Sequence, residues 1–455
     1  MCAIVGVINS KDAAKTAYYG LFSMQHRGQE ASGISASYNH QIKTIKNRGL
    51  VTEVFDNDSF EILQGQMAIG HNRYSTAGSD SVLDAQPVSA KYSLGEISIV
   101  HNGNLINKHE VRERLIEDGA IFQSNMDTEN ILHLIAKSKK ENLQDRIIEA
   151  LEQIVGAYCL LILSRSKMFV VRDPYGIRPL SIGRLKDGGY IVASETCAFD
   201  LVGATYVRDV APGEMIVFEE GKSAFKSIEL FEAKDPRLCA FEYIYFARPD
   251  SMIDGKNVYQ IRKKLGEILA DKSSCKADFV VPVPDSGVPA ALRYAARSNI
   301  PFEMAIVRNH YVGRTFIEPT QEMRNLKVKL KLNPMSSVLN GKSVVVIDDS
   351  IVRGTTSLRI VRLLKEAGAR EVHVRIASPA ITNPCFYGID MSTRKELLCA
   401  RMSKEEACKA IEADSLEFLS EESLLKAGNR SELCMACFNG CYPTSLYQNK
   451  IEEDK

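Results

Sequence analysis

The chain has 455 residues, more than one hydrophobic core normally organises, which predicts two large domains. Its 57 basic and 57 acidic side chains cancel, which excludes a protein that coats nucleic acid through a general basic excess. No basic n-region opens the chain and no apolar run approaches the roughly 18 residues of a membrane span, so the eleven cysteines are read as those of a cytoplasmic protein in a reducing compartment.

In chain order, "AIVGVI" (3–8) predicts a buried strand. "MAIGHNRYST" (67–76) and "ISIVHNGNL" (97–105) predict two more, each running into a polar turn. "DTENILHLIAKS" (127–138) and "LQDRIIEALEQIV" (143–155) carry apolar residues at helical spacing, and Asp127 with Glu129 favours a helix start. "AYCLLILS" (157–164) and "MFVVRD" (168–173) predict a strand pair. Helices between groups of paired strands imply sheets covered by helices. Beyond about residue 230 the rhythm changes to strand, helix, strand with continuous apolar strands, the pattern of a parallel sheet. Its strands are expected in "DFVVPVPDSG" (278–287), "KSVVVIDDS" (342–350) and "EVHVRIAS" (371–378), with helices at 258–272, 289–298 and 357–369. From about residue 390 the chain is expected to be helical and charged. The domains are therefore set at 1–230 and 231–455, the second with a C-terminal helical extension.

Within "VVVIDDSIVRGTTS" (344–357), four apolar residues end in Asp348 and Asp349, and a turn with Gly354 leads to Thr355 and Thr356 at a helix start. Parallel sheets bind ligands beyond the carboxyl ends of their strands. A tight turn and a helix N-terminus there make a seat for a monophosphate, with Ser350, Thr355 and Thr356 as further donors. The two carboxylates suit sugar hydroxyls or hydrated Mg²⁺. The string is not the Walker pattern. It resembles the phosphoribosyl-pyrophosphate (PRPP) loop of the type I phosphoribosyltransferases. That resemblance implies that Asp348 and Asp349 meet the ribose hydroxyls, that Ser350 to Thr356 hold the 5′-phosphate, and that Ser286 in "PVPDSGVPAA" lies near the pyrophosphate and its Mg²⁺. The basic segment between the two loops would be a lid, its Arg308, Arg314, Arg324 and Lys327 suited to a diphosphate.

The first half supplies a nucleophile. Once Met1 is removed, Cys2 carries both a thiol and a free α-amine, whose reference pKa of about 7.7–8.0 lets it act as a base near neutral pH. Asn102 and Gly103 in "HNG" are the donor types that stabilise an oxyanion. Arg73 suits a carboxylate and Asp127 an ammonium. Together they describe a glutamine site. The order "MCAIVGV … QHRGQEASG … GHNRYSTAG … HNGNL … MDTE" closely resembles the class II glutamine amidotransferases. It implies Cys2 as nucleophile, Asn102 and Gly103 as oxyanion hole, and Arg73, Thr76 and Asp127 as glutamine ligands, with "HRG" (26–28) beside the cysteine.

The two resemblances imply an N-terminal nucleophile domain with layered αββα architecture, followed by a type I phosphoribosyltransferase domain with a parallel sheet. In this order they imply transfer of ammonia from glutamine to PRPP, giving 5-phosphoribosylamine, glutamate and pyrophosphate, the first committed step of purine synthesis. A homotetramer and inhibition by purine nucleotides are implied in the same way. A regulator that senses PRPP would lack the glutamine residues, and an asparagine or glucosamine-phosphate synthase would lack the string at 344–357.

"CMAC" supplies Cys434 and Cys437, a spacing shared by zinc, redox and cluster sites. Cys239, Cys275, Cys385, Cys399, Cys408 and Cys441 are candidates to complete four thiolates, and spacing alone does not choose among them. An iron–sulfur subgroup of such two-domain enzymes is similar at "LCAFEYIYFARPDS", "NPCFYGID" and "CMACFNG". That similarity implies a [4Fe–4S] cluster on Cys239, Cys385, Cys434 and Cys437, with zinc as the alternative. Members with the cluster often begin with a longer propeptide, whereas Met1 alone precedes Cys2 here.

Overall fold

The computed structural model describes residues 2–74, 81–231, 234–273, 275–309, 332–391 and 393–445. In the first half, two antiparallel sheets stack face to face. One has seven strands, in the spatial order Thr205–Asp209, Ser181–Arg184, Tyr190–Ala193, Ala3–Ile8, Met67–Arg73, Ala31–Tyr38 and Gln41–Arg48. The other has six: Lys226–Glu229, Glu214–Glu219, Lys167–Arg172, Gly156–Ser164, Gly95–Leu105 and Val88–Tyr92.

The inner faces share a core of Ile4, Ile8, Ile69, Val100, Leu161 and Val170. Helix Ala13–Ser23 covers the outside of the first sheet, and helices Lys108–Glu117, Asp127–Lys137 and Leu143–Leu151 cover the second. This is the expected αββα layering. It explains why "GAYCLLILS" shows no alternation although its sheet is antiparallel. The strand faces the other sheet on one side and helices on the other, so all but its last residue are buried. At roughly 1.5–3 kcal/mol per fully buried large aliphatic side chain, such a strand repays apolarity on both faces.

The second half holds a four-stranded, wholly parallel sheet in the order Phe279–Pro282, Ser343–Asp348, Glu371–Ile376 and Ser415–Phe418. Helices Val258–Ser273, Val288–Ser298 and Thr355–Glu366 form where periodicity places them. The last stretch departs from the all-helical expectation. Its Ser415–Phe418 segment is the edge strand that completes the sheet. Four residues are too few for periodicity to separate strand from helix.

The two halves share a core in which Ile106, Ala157 and Ile177 pack among Tyr243, Tyr387 and Phe438. Among the described residues, no helix is long and apolar enough to cross a membrane.

Candidate active sites

The chain end carrying Cys2 is tied down by its strand. Ala3–Ile8 lies in the sheet interior between Met67–Arg73 and Tyr190–Ala193, and the Ile4 N–H donates to Ser194 Oγ at 3.0 Å. Arg27 Nε donates to the Cys2 carbonyl at 3.0 Å, and Cys2 Sγ stands 3.8 Å from the Tyr74 carbonyl oxygen. Gly28 lies flat on the Arg73 backbone, where a Cβ would meet the carbonyl at 2.6 Å. The "HRG" turn thus touches both the nucleophile and the arginine expected to bind glutamine.

A cavity of about 70 Å³ is lined by Cys2, Arg73, Tyr74, His101, Gly103 and Asp127 among others. Asn102 lies buried beside it, and neither its amide nitrogen nor its amide oxygen has a hydrogen-bond partner among the described residues. A buried orphan amide is costly unless something completes it. Gly103 admits no side chain, since a Cβ would stand 1.9 Å from the Ala157 carbonyl oxygen.

Asp127 opens its helix without capping it. Its Oδ2 accepts from the Leu105 N–H at 2.9 Å and its Oδ1 lies 3.3 Å from His101 Nδ1. Burial alone would raise its carboxyl, but His101, the Leu105 amide and Lys108 outweigh burial and hold it at about 2. It is an anion at neutral pH. Burial and Arg73 push the His71 ring down to about 3, so that ring is neutral. Thr76 lies outside the described residues.

The second constellation sits at the carboxyl ends of two adjacent parallel strands. Asp348 ends Ser343–Asp348, and both Asp348 and Asp349 are buried. Burial, reinforced by Asp349 next door, raises the Asp348 carboxyl well above the usual carboxylate range. Gly354 takes the left-handed conformation (φ 78°) that turns the chain into helix Thr355–Glu366, leaving Thr355 and Thr356 exposed. The Ser286 loop meets this turn. Val283 N–H donates to the Ile347 carbonyl at 2.9 Å, and a Cβ on Gly287 would stand 2.4 Å from that oxygen. Arg308 is ion-paired with Asp285 of the same loop. Arg314, Arg324 and Lys327 lie outside the described residues.

Cys239 and Cys434 bridge as isolated parallel β partners, and Cys437 follows one helical turn on. Cys239, Cys434 and Cys437 are buried and Cys385 is half-buried. Burial pushes the Cys437 thiol well up, and Cys385, Cys239 and Cys434 facing it add to the effect. Cys239, Cys434 and Cys437 belong to one buried cluster, with Cys385 packed against it. Among the described residues, no group of three or more His, Cys, Asp or Glu side chains is placed to hold a metal ion. Cys441 is exposed and lines a separate cavity of about 630 Å³ with Tyr175, Lys234 and Arg237.

Sequence reasoning missed a buried ion network that joins the halves. Arg27 donates to Glu195 Oε1 at 2.6 Å and to both carboxylate oxygens of Glu242 at 2.9 Å. Burial alone would raise the Glu195 carboxyl, but His26 and Arg27 hold it well below the usual range. Arg178 lies 3.5 Å from Glu242 and donates to the Tyr387 carbonyl at 2.5 Å. "HRG" was the available signal for Arg27. Nothing local marks its acidic partners.

A nucleophile-bearing αββα domain with a glutamine-shaped set of charges, followed by a parallel sheet with a phosphosugar turn, defines a glutamine amidotransferase fused to a phosphoribosyltransferase. Family models agree: a glutamine amidotransferase domain matches residues 71–200 and a phosphoribosyl transferase domain residues 254–381. The chain is 48% identical to the amidophosphoribosyltransferase of Bacillus subtilis (strain 168), covering 99% of this chain and 95% of that one. It is 46% identical to that of Methanocaldococcus jannaschii, with 99% of each covered. A solved structure of the glutamine PRPP amidotransferase from B. subtilis, complexed with ADP and GMP, superposes with a TM-score of 0.93 at 47% identity over 98% of both chains. The chain belongs to the amidophosphoribosyltransferase family. It is an enzyme, a glutamine-dependent pentosyltransferase.

Proposed function

We propose that this enzyme forms 5-phosphoribosylamine, glutamate and pyrophosphate from PRPP, glutamine and water, with the residues above in definite roles. The observation that carries this reading is the single cavity lined by Cys2, Arg73, Gly103 and Asp127. Arg73 takes the glutamine α-carboxylate and Asp127 the α-ammonium. The Cys2 thiolate attacks the carboxamide carbon, its proton passing to the α-amine freed by loss of Met1. The oxyanion forms against the Asn102 amide and the Gly103 N–H, which supplies the partner that Asn102 lacks. Collapse expels ammonia as the Cys2 α-ammonium returns its proton to the leaving nitrogen, and water then hydrolyses the thioester.

Asp348 and Asp349 bind the ribose hydroxyls of PRPP. Ser350, Gly354, Thr355 and Thr356 hold the 5′-phosphate, and Ser286 the pyrophosphate. Asp348, Asp349 and Ser286 would hold Mg²⁺, whose charge would help neutralise the diphosphate leaving group. Ammonia passes between the sites without reaching solvent. The division between the units falls near residue 230, just past the last strand of the first half, Lys226–Glu229. Purine nucleotides compete at the phosphate seat, and the assembly is a homotetramer in the cytoplasm.

The glutamine assignment predicts the behaviour of Asp127→Asn. KM for glutamine rises by about 10²-fold, the ~3 kcal/mol of a charge-assisted contact, while ammonia-dependent synthesis is unchanged. Steady-state rates with glutamine and with ammonium chloride check this, and an unchanged glutamine KM removes Asp127 from the site.

Cys239, Cys385, Cys434 and Cys437 fit a [4Fe–4S] cluster. The four cysteines lie in or against one buried cluster, with Cys239 bridged to Cys434, and a cubane asks for ligands set wider than the ~3.8 Å tetrahedral edge around one zinc. Neither half-reaction draws on it, so its role is structural or oxygen-sensing. Protein purified without oxygen is expected to be brown, with equal iron and sulfide, and Cys437→Ser to be colourless. Colourless, active wild-type protein carrying one zinc per chain overturns the assignment.

A further inference from the structure

The oxyanion strand Gly95–Leu105 does not end free. It runs onto a loop of the second half that begins at Cys385. Three consecutive residues of that loop are gripped by the glutaminase half. Asn104 Nδ2 donates to the Phe386 carbonyl at 2.8 Å. Arg178 donates to the Tyr387 carbonyl at 2.5 Å, while its Nη1 lies 3.5 Å from Glu242. Gly388, at φ 101°, lies against Gly103 itself, where a Cβ would stand 3.0 Å from the Gly103 carbonyl oxygen and 3.2 Å from its carbon. Three residues past Gly103, just beyond the strand, Ile106 is buried in the same core as Tyr387.

From this geometry we infer that the Cys385–Gly388 loop is a positioning element for the oxyanion hole, with Asn104 and Gly388 as its working contacts. The inference rests on the assignment of Asn102 and Gly103 as oxyanion donors. A peptide N–H stabilises an oxyanion only when aimed at where that oxygen will be. The plane of the Gly103 peptide is set on one side by the Ala157 strand. Gly388 bears on the following peptide, at the Gly103 carbonyl, and so on the backbone angles that aim the Gly103 N–H. The Asn104 amide pins the next residue of the strand. Arg178 connects the same loop through Glu242 to Arg27, which donates to the Cys2 carbonyl. The nucleophile and the oxyanion hole are thus referenced to one piece of the second half.

A positioning role differs from a packing role in what it moves. Misplacing an oxyanion donor lowers kcat and leaves ground-state binding alone. The test uses the full-length enzyme with Asn104→Leu, which keeps bulk and removes the donor, and Gly388→Ala, which pushes on Gly103. Asn102→Ala runs beside them. The probe is an aldehyde analogue of glutamine. Cys2 Sγ adds to its carbonyl carbon, the C=O π bond opens, and the oxygen left in the oxyanion hole takes the thiol proton.

Both variants are expected to lose aldehyde affinity and glutamine-dependent kcat in parallel, by about 10-fold or more. The full loss of one oxyanion donor is 10²–10³-fold. Glutamine KM and ammonia-dependent synthesis are expected to stay at wild-type values. Unchanged aldehyde affinity in both variants, with loss in Asn102→Ala, overturns the inference and leaves the oxyanion assignment standing. Retention in all three overturns that assignment as well. An equal fall in ammonia-dependent synthesis in both variants also overturns the inference, because the loop then serves only the fold of the second half.

Discussion

A Cys2→Ala enzyme is expected to lose glutamine-dependent synthesis by as much as about 10⁶-fold, the cost of removing a catalytic nucleophile, and to keep ammonia-dependent synthesis. The asymmetry follows from the two constellations. The thiol acts only on the amide bond, whereas the chemistry at C1 of the sugar needs ammonia from any source. No neighbouring thiol can take its place. Burial pushes Cys159, directly across from Asn102 in the strand pair, up to about 12. Burial pushes Cys197 up as well, with Glu195 adding to it. Both are protonated at neutral pH and aimed into the protein. Phosphoribosylamine formation with each nitrogen source checks the claim, and intact-protein mass shows whether Met1 is gone. Loss of both activities in a folded variant contradicts the two-site scheme. Retention of Met1 in fully active protein contradicts the α-amine as base.

The second large effect is expected at the phosphosugar turn, and it pairs lost activity with gained stability. Asp348 is buried beside Asp349, and burial first, then Asp349, raises its carboxyl. The folded state therefore binds a proton where the unfolded chain has released one. The sign follows from linkage: this group's contribution is present below the ordinary carboxylate pKa and is lost as pH rises toward the folded value. At neutral pH, Asp348 is a cost to the ligand-free fold. Asp348→Asn is expected to raise the thermal midpoint at pH 7 and to narrow the gap to wild type on acidification. The same variant is expected to lose both glutamine- and ammonia-dependent synthesis by on the order of 10²-fold, since a charge-assisted contact to the ribose is gone. Calorimetry at two pH values and the paired assays check this. A lower midpoint at pH 7 contradicts the strain, and full activity contradicts the PRPP assignment.

Both results would concern residues that stand out in the sequence, and the reason is local. A phosphosugar seat is one strand end, one turn and one helix start, so "VVVIDDSIVRGTTS" contains nearly all of it. Cys2, Arg73 and Asp127 each sit at the end of a strand or the start of a helix that periodicity already marks, and Asn102–Gly103 lie within such a strand. Elements were legible where they are long and buried, as at Gly156–Ser164, Val258–Ser273 and Thr355–Glu366. They were not where they are short or polar. Ser415–Phe418 is hidden among helices, and Gln41–Arg48 is an edge strand whose residues are mostly exposed or half-buried.

The sequence by itself determined the two chemistries and the residues that name them, because those chemistries are carried by short contiguous strings. Only the tertiary structure decided how the two are joined. Arg27 and Glu242 are 215 positions apart, and Asn104 and Phe386 are 282. No local propensity encodes such a pair. A buried arginine must find carboxylates and a buried carbonyl a donor, but which ones they find is settled by how the sheets and loops pack. The folded chain shows a glutamine site whose nucleophile and oxyanion strand both lean on the domain that holds the sugar.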